Sequence, residues 1–274
     1  MSEISAAQPV IDGSTRLIGI VGDPIAQVKS PLVLNPRFKM AGLNTVLVPF
    51  HVLPEAFDAS LRGLMALGNL DGLIVTVPYK ARAMGLVDRI EPMAAKTGAI
   101  NAMRREADQS WSGDMFDGRG LVRGLADEGL SVAGRSVMLI GAGGAGSAVA
   151  VAFAEAGASP IALHDIDRAK ASVLAARVTK AIPAAQPHVA EARARGFDIM
   201  VNATPVGMAS GDGLPADIGA LSSFQLVIDV IAAPEVTPLL AKARAAGCRT
   251  VGGKAMLTGQ AAELEKFFRI GGAR

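Results

Sequence analysis

Residues 136–146 read Ser-Val-Met-Leu-Ile-Gly-Ala-Gly-Gly-Ala-Gly, and Ser147 to Glu155 continue them with a helical pattern. A short apolar run ends in a glycine-rich turn, and a helix begins at once. Strand, tight turn and helix in that order make a site for nucleotide phosphates. Gly141 can take the backbone angles of the turn. Gly143 and Gly144, set between Ala142 and Ala145, leave the backbone bare for the approach of a pyrophosphate. A helix starting near Gly144 aims free N–H groups and its positive dipole end at the anion. Gly141, Gly143 and Gly146 satisfy the Gly-x-Gly-x-x-Gly spacing. That spacing alone is a weak signal; the strand before it and the helix after it strengthen it.

The next apolar run, Pro160 to His164, ends in Asp165. Dinucleotide-binding folds place an acid at the tip of this second strand to hold the adenosine ribose hydroxyls. A carboxylate there repels a ribose 2′-phosphate, so NAD is expected in preference to NADP. Arg168 argues the other way, because a nearby arginine can accept the extra phosphate. Asp165 can also be read as a cap for a helix beginning near Arg168, and Asp167 could be that cap instead.

The composition fits a soluble enzyme. The chain has 274 residues, half of them hydrophobic, enough for one large domain or two ordinary ones. The formal net charge is +2 and no basic cluster occurs, which argues against a nucleic-acid surface. No apolar run reaches the length that spans a bilayer. The segment Met1 to Ser14 is polar and lacks the pattern of a signal peptide; it reads as a loose tail, and a cytoplasmic location is expected. One cysteine, Cys248, excludes an internal disulfide and reads as a core residue. The three histidines, His51, His164 and His188, show no metal-ligand spacing, so no metal is expected.

Strand and helix patterns alternate along the chain, which predicts a parallel sheet with helices on both faces. In the first half the strands fall at 17–21, 45–50 and 72–77, with short candidates at 99–105 and 111–113. Helices fall after Ser30-Pro31 to about Met40, at 55–67, from near Lys80, and after Asp117 to about Gly129. In the second half the strands fall at 137–140, 161–164, 197–202, 226–229 and 249–251. The last helix, 256–268, places Leu257, Ala261, Leu264 and Phe268 on one face. The Ala/Pro-rich segment 181–187 has no clear pattern.

Two turns in the first half end strands where α/β folds put ligands: Gly22-Asp-Pro24 and Thr76-Val-Pro-Tyr-Lys80. Asn101 follows Gly98-Ala-Ile, and Asp117 closes Asp114-Met-Phe-Asp. A lysine and an aspartate near a nicotinamide suit alcohol oxidation, where a base takes the hydroxyl proton as hydride leaves the same carbon. A carboxylate beside a lysine favours the charged form, so orienting the substrate is a second role open to the pair. Taken singly, Lys80 also reads as a solvated lysine at a helix start and Asp117 as a helix cap.

Together these residues resemble the shikimate/quinate dehydrogenases. The resemblance runs in order from about Leu17 to Leu264. It rests on Gly22-Asp-Pro-Ile-Ala26 with Ser30-Pro31, Val75-Thr-Val-Pro-Tyr-Lys80, Gly98-Ala-Ile-Asn101, Asp117-Gly118, Gly141-Ala-Gly-Gly-Ala145, Asn202-Ala-Thr-Pro-Val-Gly-Met208 and Gln260-Ala-Ala262. It implies two α/β domains: a substrate domain over residues 1–117 completed by a C-terminal helix (252–274), and a Rossmann-type dinucleotide domain over 118–251. It implies Lys80 and Asp117 as the catalytic pair, and Ser30, Thr76, Asn101 and Gln260 as contacts to a cyclic hydroxy acid. It places Asn202, Thr204 and Met208 in a loop beside the cofactor and Met256 near the nicotinamide. The reaction implied is reversible hydride transfer between NAD and a ring hydroxyl, by a monomer or homodimer.

The departures from the family pattern concentrate on substrate contacts. The family's Ser-x-Ser pair, which grips the substrate carboxylate, reads Val28-Lys-Ser30 here. Ala232 and Ala233 stand where a tyrosine and an asparagine are usual, and Met115-Phe116 where Asn-Thr is common. His164-Asp-Ile-Asp167 replaces the Asn-Arg-Thr-like run of the NADP-using biosynthetic branch. The reaction class is expected to hold, with shikimate, quinate or an analogue as substrate. Two alternatives stay open: the NADP-dependent biosynthetic enzyme, and a dinucleotide-binding sensor without turnover.

Overall fold

A computed structural model describes residues 11–223 and 225–269. The first sheet contains β1 (Arg16–Gly22), β2 (Thr45–His51), β3 (Leu70–Val75), β4 (Arg89–Ile90), β5 (Ala102–Arg105) and β6 (Trp111–Asp114). They lie in the order β2-β1-β3-β5-β6-β4. Helices α1 (Ser30–Met40), α2 (Phe57–Met65), α3 (Pro92–Thr97) and α4 (Asp117–Asp127) accompany them. β1 and β3 are apolar runs buried on both faces, as central parallel strands require.

This sheet is mixed, which corrects the expectation of parallel strands throughout. β5 runs antiparallel to β3, and β6 antiparallel to β5. The turn 106–110 explains it. Glu106 N–H donates to the Ser110 carbonyl (2.8 Å), and Gln109 adopts a left-handed φ of 70°. A connection this short can only make a hairpin, because parallel neighbours need a crossover of a dozen or more residues.

The second sheet contains β7 (Val137–Ile140), β8 (Ile161–His164), β9 (Pro187–Val189), β10 (Ile199–Asn202), β11 (Leu226–Asp229) and β12 (Arg249–Val251). Its order is β12-β11-β10-β7-β8-β9, and every pair is parallel. Helices α5 (Gly144–Glu155), α6 (Arg168–Ala181) and α7 (Pro238–Ala245) connect its strands. The strand order reverses at β7, which opens a crevice at the carboxyl ends of the strands where such sheets bind ligands.

The last helix, α8 (Lys254–Phe267), returns from the second sheet to the first. Leu264, Phe267 and Phe268 join Ile18, Ile20, Leu34 and Phe38 in one buried cluster. α8 crosses α4 through small residues. A Cβ added to Gly259 would lie 2.1 Å from the Gly120 carbonyl oxygen, and one on Gly124 would lie 2.2 Å from the Ala255 carbonyl oxygen. Bare glycines at these positions let the two backbones touch. Leu257, expected on the core face of this helix, is only half-buried and lines a cleft instead.

Other differences are local. The helix expected from Lys80 is a 3-10 stretch over Arg82–Leu86, so Lys80 stands in a turn. α3, β4 and β9 were not expected; each is short and carries too few residues for a periodic signal. Residues 181–187 resolve into the end of α6, a 3-10 turn at Pro183–Ala185 and the start of β9. Of the expected tail, residues 1–10 lie outside the described residues. Asp12 to Thr15 form a turn in which the Asn44 amide donates to Asp12 (2.9 Å). Cys248 is buried, and its thiol donates to the Ser222 carbonyl (3.1 Å). Among the described residues no helix is long and apolar enough to cross a membrane.

Candidate active site

A cleft of about 860 Å³ lies between the two sheets. Ser30, Thr76, Lys80, Asn101, Asp117 and Gln260 all line it, although they come from five separate stretches of chain. Lys80 follows β3 through Val77-Pro78. Its carbonyl accepts from Ile100 N–H (2.9 Å), which ties its turn to the segment carrying Asn101. Asp117 is the first residue of α4 and is 3% exposed. Its carboxylate does not cap that helix, which removes the capping alternative.

The four central side chains form one chain of hydrogen bonds. Lys80 Nζ donates to Asp117 Oδ2 in a buried ion pair. Asn101 Nδ2 donates to Asp117 Oδ1 (2.7 Å) and to Gln260 Oε1 (3.0 Å). Asn101 Oδ1 in turn accepts from Phe116 N–H (2.9 Å), so the amide orientation is fixed. Both carboxylate oxygens of Asp117 are therefore engaged, and Lys80 is held at one point. The Ser30 and Thr76 hydroxyls and the Gln260 amide nitrogen have no protein partner among the described residues. A cluster of unpaired donors beside an oriented lysine is a surface for a hydroxylated ligand.

The glycine loop forms the facing wall. Gly141 has a φ of +104°, which only glycine adopts readily, and a Cβ on Gly146 would meet the Gly141 carbonyl oxygen at 1.9 Å. Gly143 has open space where its Cβ would stand, so the backbone is bare toward the cleft. Ala142, Gly143, Gly144 and Ala145 line the cleft, with the α5 N-terminus behind them. These features fit a dinucleotide pyrophosphate. Thr204, Met208 and Met256 also line the cleft.

Gly141, Asp165 and Asn202 do not line it. Gly141 shapes the turn beneath the loop. Asp165 accepts from the Ala142 N–H (2.7 Å) and the Asp167 N–H (2.9 Å). Asp167 is the cap of α6, accepting from Ala169 N–H (3.0 Å), so the capping alternative for Asp165 falls away. Asn202 is fully buried and cannot touch a ligand. Its side-chain Oδ1 accepts from the Thr204 N–H (3.0 Å) and hydroxyl (2.7 Å), and its Nδ2 donates to Asp229 (3.2 Å). It positions Thr204 from behind.

Two supporting residues escaped the sequence reading. Asp229 is fully buried at the end of β11, and burial pushes its carboxyl above the usual range, against hydrogen bonds from Thr237, Ile231 and Asn202. An acid closing an apolar strand was the available signal. Arg177 of α6 donates to the Thr97 carbonyl at the end of α3, against Gly98. A Cβ on Gly98 would lie 2.1 Å from that guanidinium. With the Lys96–Glu155 ion pair (2.6 Å), this contact ties the two domains along one side of the cleft. Nothing local in the sequence connects residues 80 positions apart. Among the described residues there is no cluster of side chains able to hold a metal.

A glycine-loop domain facing a lysine–aspartate pair on a second α/β domain defines a two-domain dinucleotide-dependent dehydrogenase. Residues 20–103 match the shikimate dehydrogenase substrate-binding domain model. The chain is 38% identical to the shikimate dehydrogenase (NADP(+)) of Rubrobacter xylanophilus, over 94% of this chain and 92% of that protein. It belongs to the shikimate dehydrogenase family. The solved shikimate dehydrogenase of Aquifex aeolicus superposes with a TM-score of 0.84 at 29% identity, covering 96% of this chain and 98% of that one. The quinate dehydrogenase of Corynebacterium glutamicum, solved with NAD, gives 0.79 at 29% identity, covering 94% and 93%.

Proposed function

We propose that this chain catalyses reversible oxidation of a ring hydroxyl on a cyclic hydroxy acid of the shikimate/quinate class, with a nicotinamide dinucleotide as co-substrate. The observation that carries this is the Lys80–Asp117–Asn101–Gln260 network, set against the glycine loop in one cleft. NAD(P), when bound, supplies the hydride acceptor. Lys80 Nζ takes the proton from the reacting oxygen during oxidation and returns it during reduction. Asp117 holds that nitrogen in place, and Asn101 holds Asp117. Ser30, Thr76 and Gln260 donate to or accept from the ligand's other oxygens. Ala142 to Ala145 cradle the pyrophosphate above the turn that Gly141 shapes, while Thr204, Met208 and Met256 flank the nicotinamide end and Asn202 supports Thr204.

We propose NAD as the preferred co-substrate. Asp165 stands at the tip of β8, where a 2′-phosphate would meet its charge, and Arg168 lies 3.9 Å from Glu191. The Rubrobacter relative is named for NADP(+), so both dinucleotides belong in the test. Residues 1–117 with 252–274 are assigned to the substrate domain and 118–251 to the dinucleotide domain, in a monomer or homodimer acting in the cytoplasm. The test is initial-rate formation of NADH and NADPH with shikimate and with quinate. Turnover of either acid with NAD supports the whole reading. Turnover with NADP alone removes the role given to Asp165, and no turnover of either acid removes the substrate class.

A further inference from the structure

We propose that Arg177 is a positioning residue for the reaction: its guanidinium clasps the end of α3 and so sets how the Lys80–Asp117–Asn101 network of one domain faces the glycine loop of the other. This rests on the hydride-transfer reading above. Arg177 stands on α6, in the domain of the glycine loop, and lines the cleft with Lys170 and Val173 of the same helix. Its Nη1 donates to the carbonyl of Thr97, the last residue of α3 in the other domain. The end of a helix presents carbonyls with negative partial charge, so a guanidinium there makes a charge-assisted bond.

The receiving side is shaped for this contact. Gly98 ends α3 with a φ of 68°, and a Cβ there would lie 2.4 Å from the Arg177 Cζ. Glycine is thus required twice, by the backbone and by the partner. Thr97 is fully buried, and its Oγ1 lies 3.0 Å from both the Met93 and the Ala99 carbonyl oxygens. From this stiff corner a short hydrogen-bonded stretch leads to the network. Ile100 N–H donates to the Lys80 carbonyl (2.9 Å) and Asn101 N–H to the Asp114 carbonyl (3.0 Å), while Asn101 Nδ2 donates to Asp117. Beside it, the Lys96–Glu155 pair is 42% and 32% exposed and contributes little. Arg177 is therefore the main tie on this side of the cleft. Small misplacements of reacting groups are costly, so a loosened clasp should show in turnover. Dinucleotide binding, which needs the glycine-loop domain, should not change.

The experiment is steady-state kinetics of the full chain with the ring acid it oxidises, together with calorimetric Kd values for the dinucleotide. Arg177→Ala should lower kcat about tenfold and leave the dinucleotide Kd and the circular dichroism in place. Arg177→Lys, which keeps a charged donor, should retain most of the turnover. Gly98→Ala displaces the guanidinium and should cause a similar loss, yet add nothing further in the Arg177→Ala background. An unchanged kcat in Arg177→Ala, a weakened dinucleotide Kd that accounts for the loss, or additive losses in the double variant overturns the assignment and leaves the reaction class intact. A wild type inert toward both acids overturns the reaction reading instead. Small-angle scattering of the unliganded chain then tests the clasp without turnover: Arg177→Ala should have a larger radius of gyration than wild type, and an equal one overturns the clasp.

Discussion

The stem of Lys80 packs against Gly144, the first residue of α5. A Cβ on Gly144 would lie 2.9 Å from the Lys80 Cβ and 3.2 Å from its Cδ. The lysine of one domain is thus seated on the phosphate-binding turn of the other. Gly144→Ala should push that stem aside and lower turnover by about tenfold or more, since small misplacements of a reacting group are costly. Circular dichroism should remain native. Wild-type turnover would show that the stem yields without consequence.

Lys80→Ala should cut kcat by at least about a hundredfold, the scale of a lost acid–base group, while dinucleotide binding measured by calorimetry is retained. Asp117→Asn should fall in the same direction, because the Lys80 ion pair goes with the charge. Near-normal turnover of Lys80→Ala would remove that residue from the proton transfer.

Asp165→Ala should weaken NAD binding and relax the preference against NADP. The structure adds a second consequence: the Ala142 and Asp167 N–H groups both lose an acceptor. Asp165→Asn, which removes the charge but keeps one oxygen able to accept one of these two bonds, helps to separate the effects. The ratio of Kd values for the two dinucleotides is the readout, and a ratio unchanged in both variants would reduce Asp165 to a loop support.

Gly259→Ala places a methyl group 2.1 Å from the Gly120 carbonyl oxygen. Backbone cannot rotate away as a side chain can, so overpacking should cost at least about 2 kcal/mol. The better helix propensity of alanine opposes this by about 1 kcal/mol. Urea unfolding should show a net loss of stability, and an unchanged midpoint would mean that α4 and α8 separate easily.

Asp229 has its carboxyl pushed up by burial. A raised native value means that the stability it contributes is present below the ordinary carboxylate range and is lost as pH rises through the native value. Asparagine does not titrate. The stability of wild type relative to Asp229→Asn should therefore decline from about pH 4 upward. Urea midpoints of both proteins at several pH values measure this, and a constant difference across pH would remove Asp229 as the titrating group.

What the sequence determined by itself was local or repetitive. β7, the Gly141–Gly146 turn and α5 were legible because apolar run, glycine spacing and helical pattern are contiguous and each has its own physical cause. Longer strands were legible for the same reason, while α3, β4 and β9 fell below the length at which periodicity speaks. Lys80, Asp117, Asn101 and Gln260 were legible only as separate motifs that resembled a family.

Tertiary structure alone decided that these four make one hydrogen-bonded chain, that Asp167 and not Asp165 caps α6, and that Arg177 closes onto Thr97. It also decided that the first sheet is mixed. The physical reason is the range of the interactions. Caps, turns and amphipathic faces depend on neighbours a few residues away. The bond from Asn101 to Gln260 and the contact of Lys80 with Gly144 exist only after two sheets and a returning helix have packed.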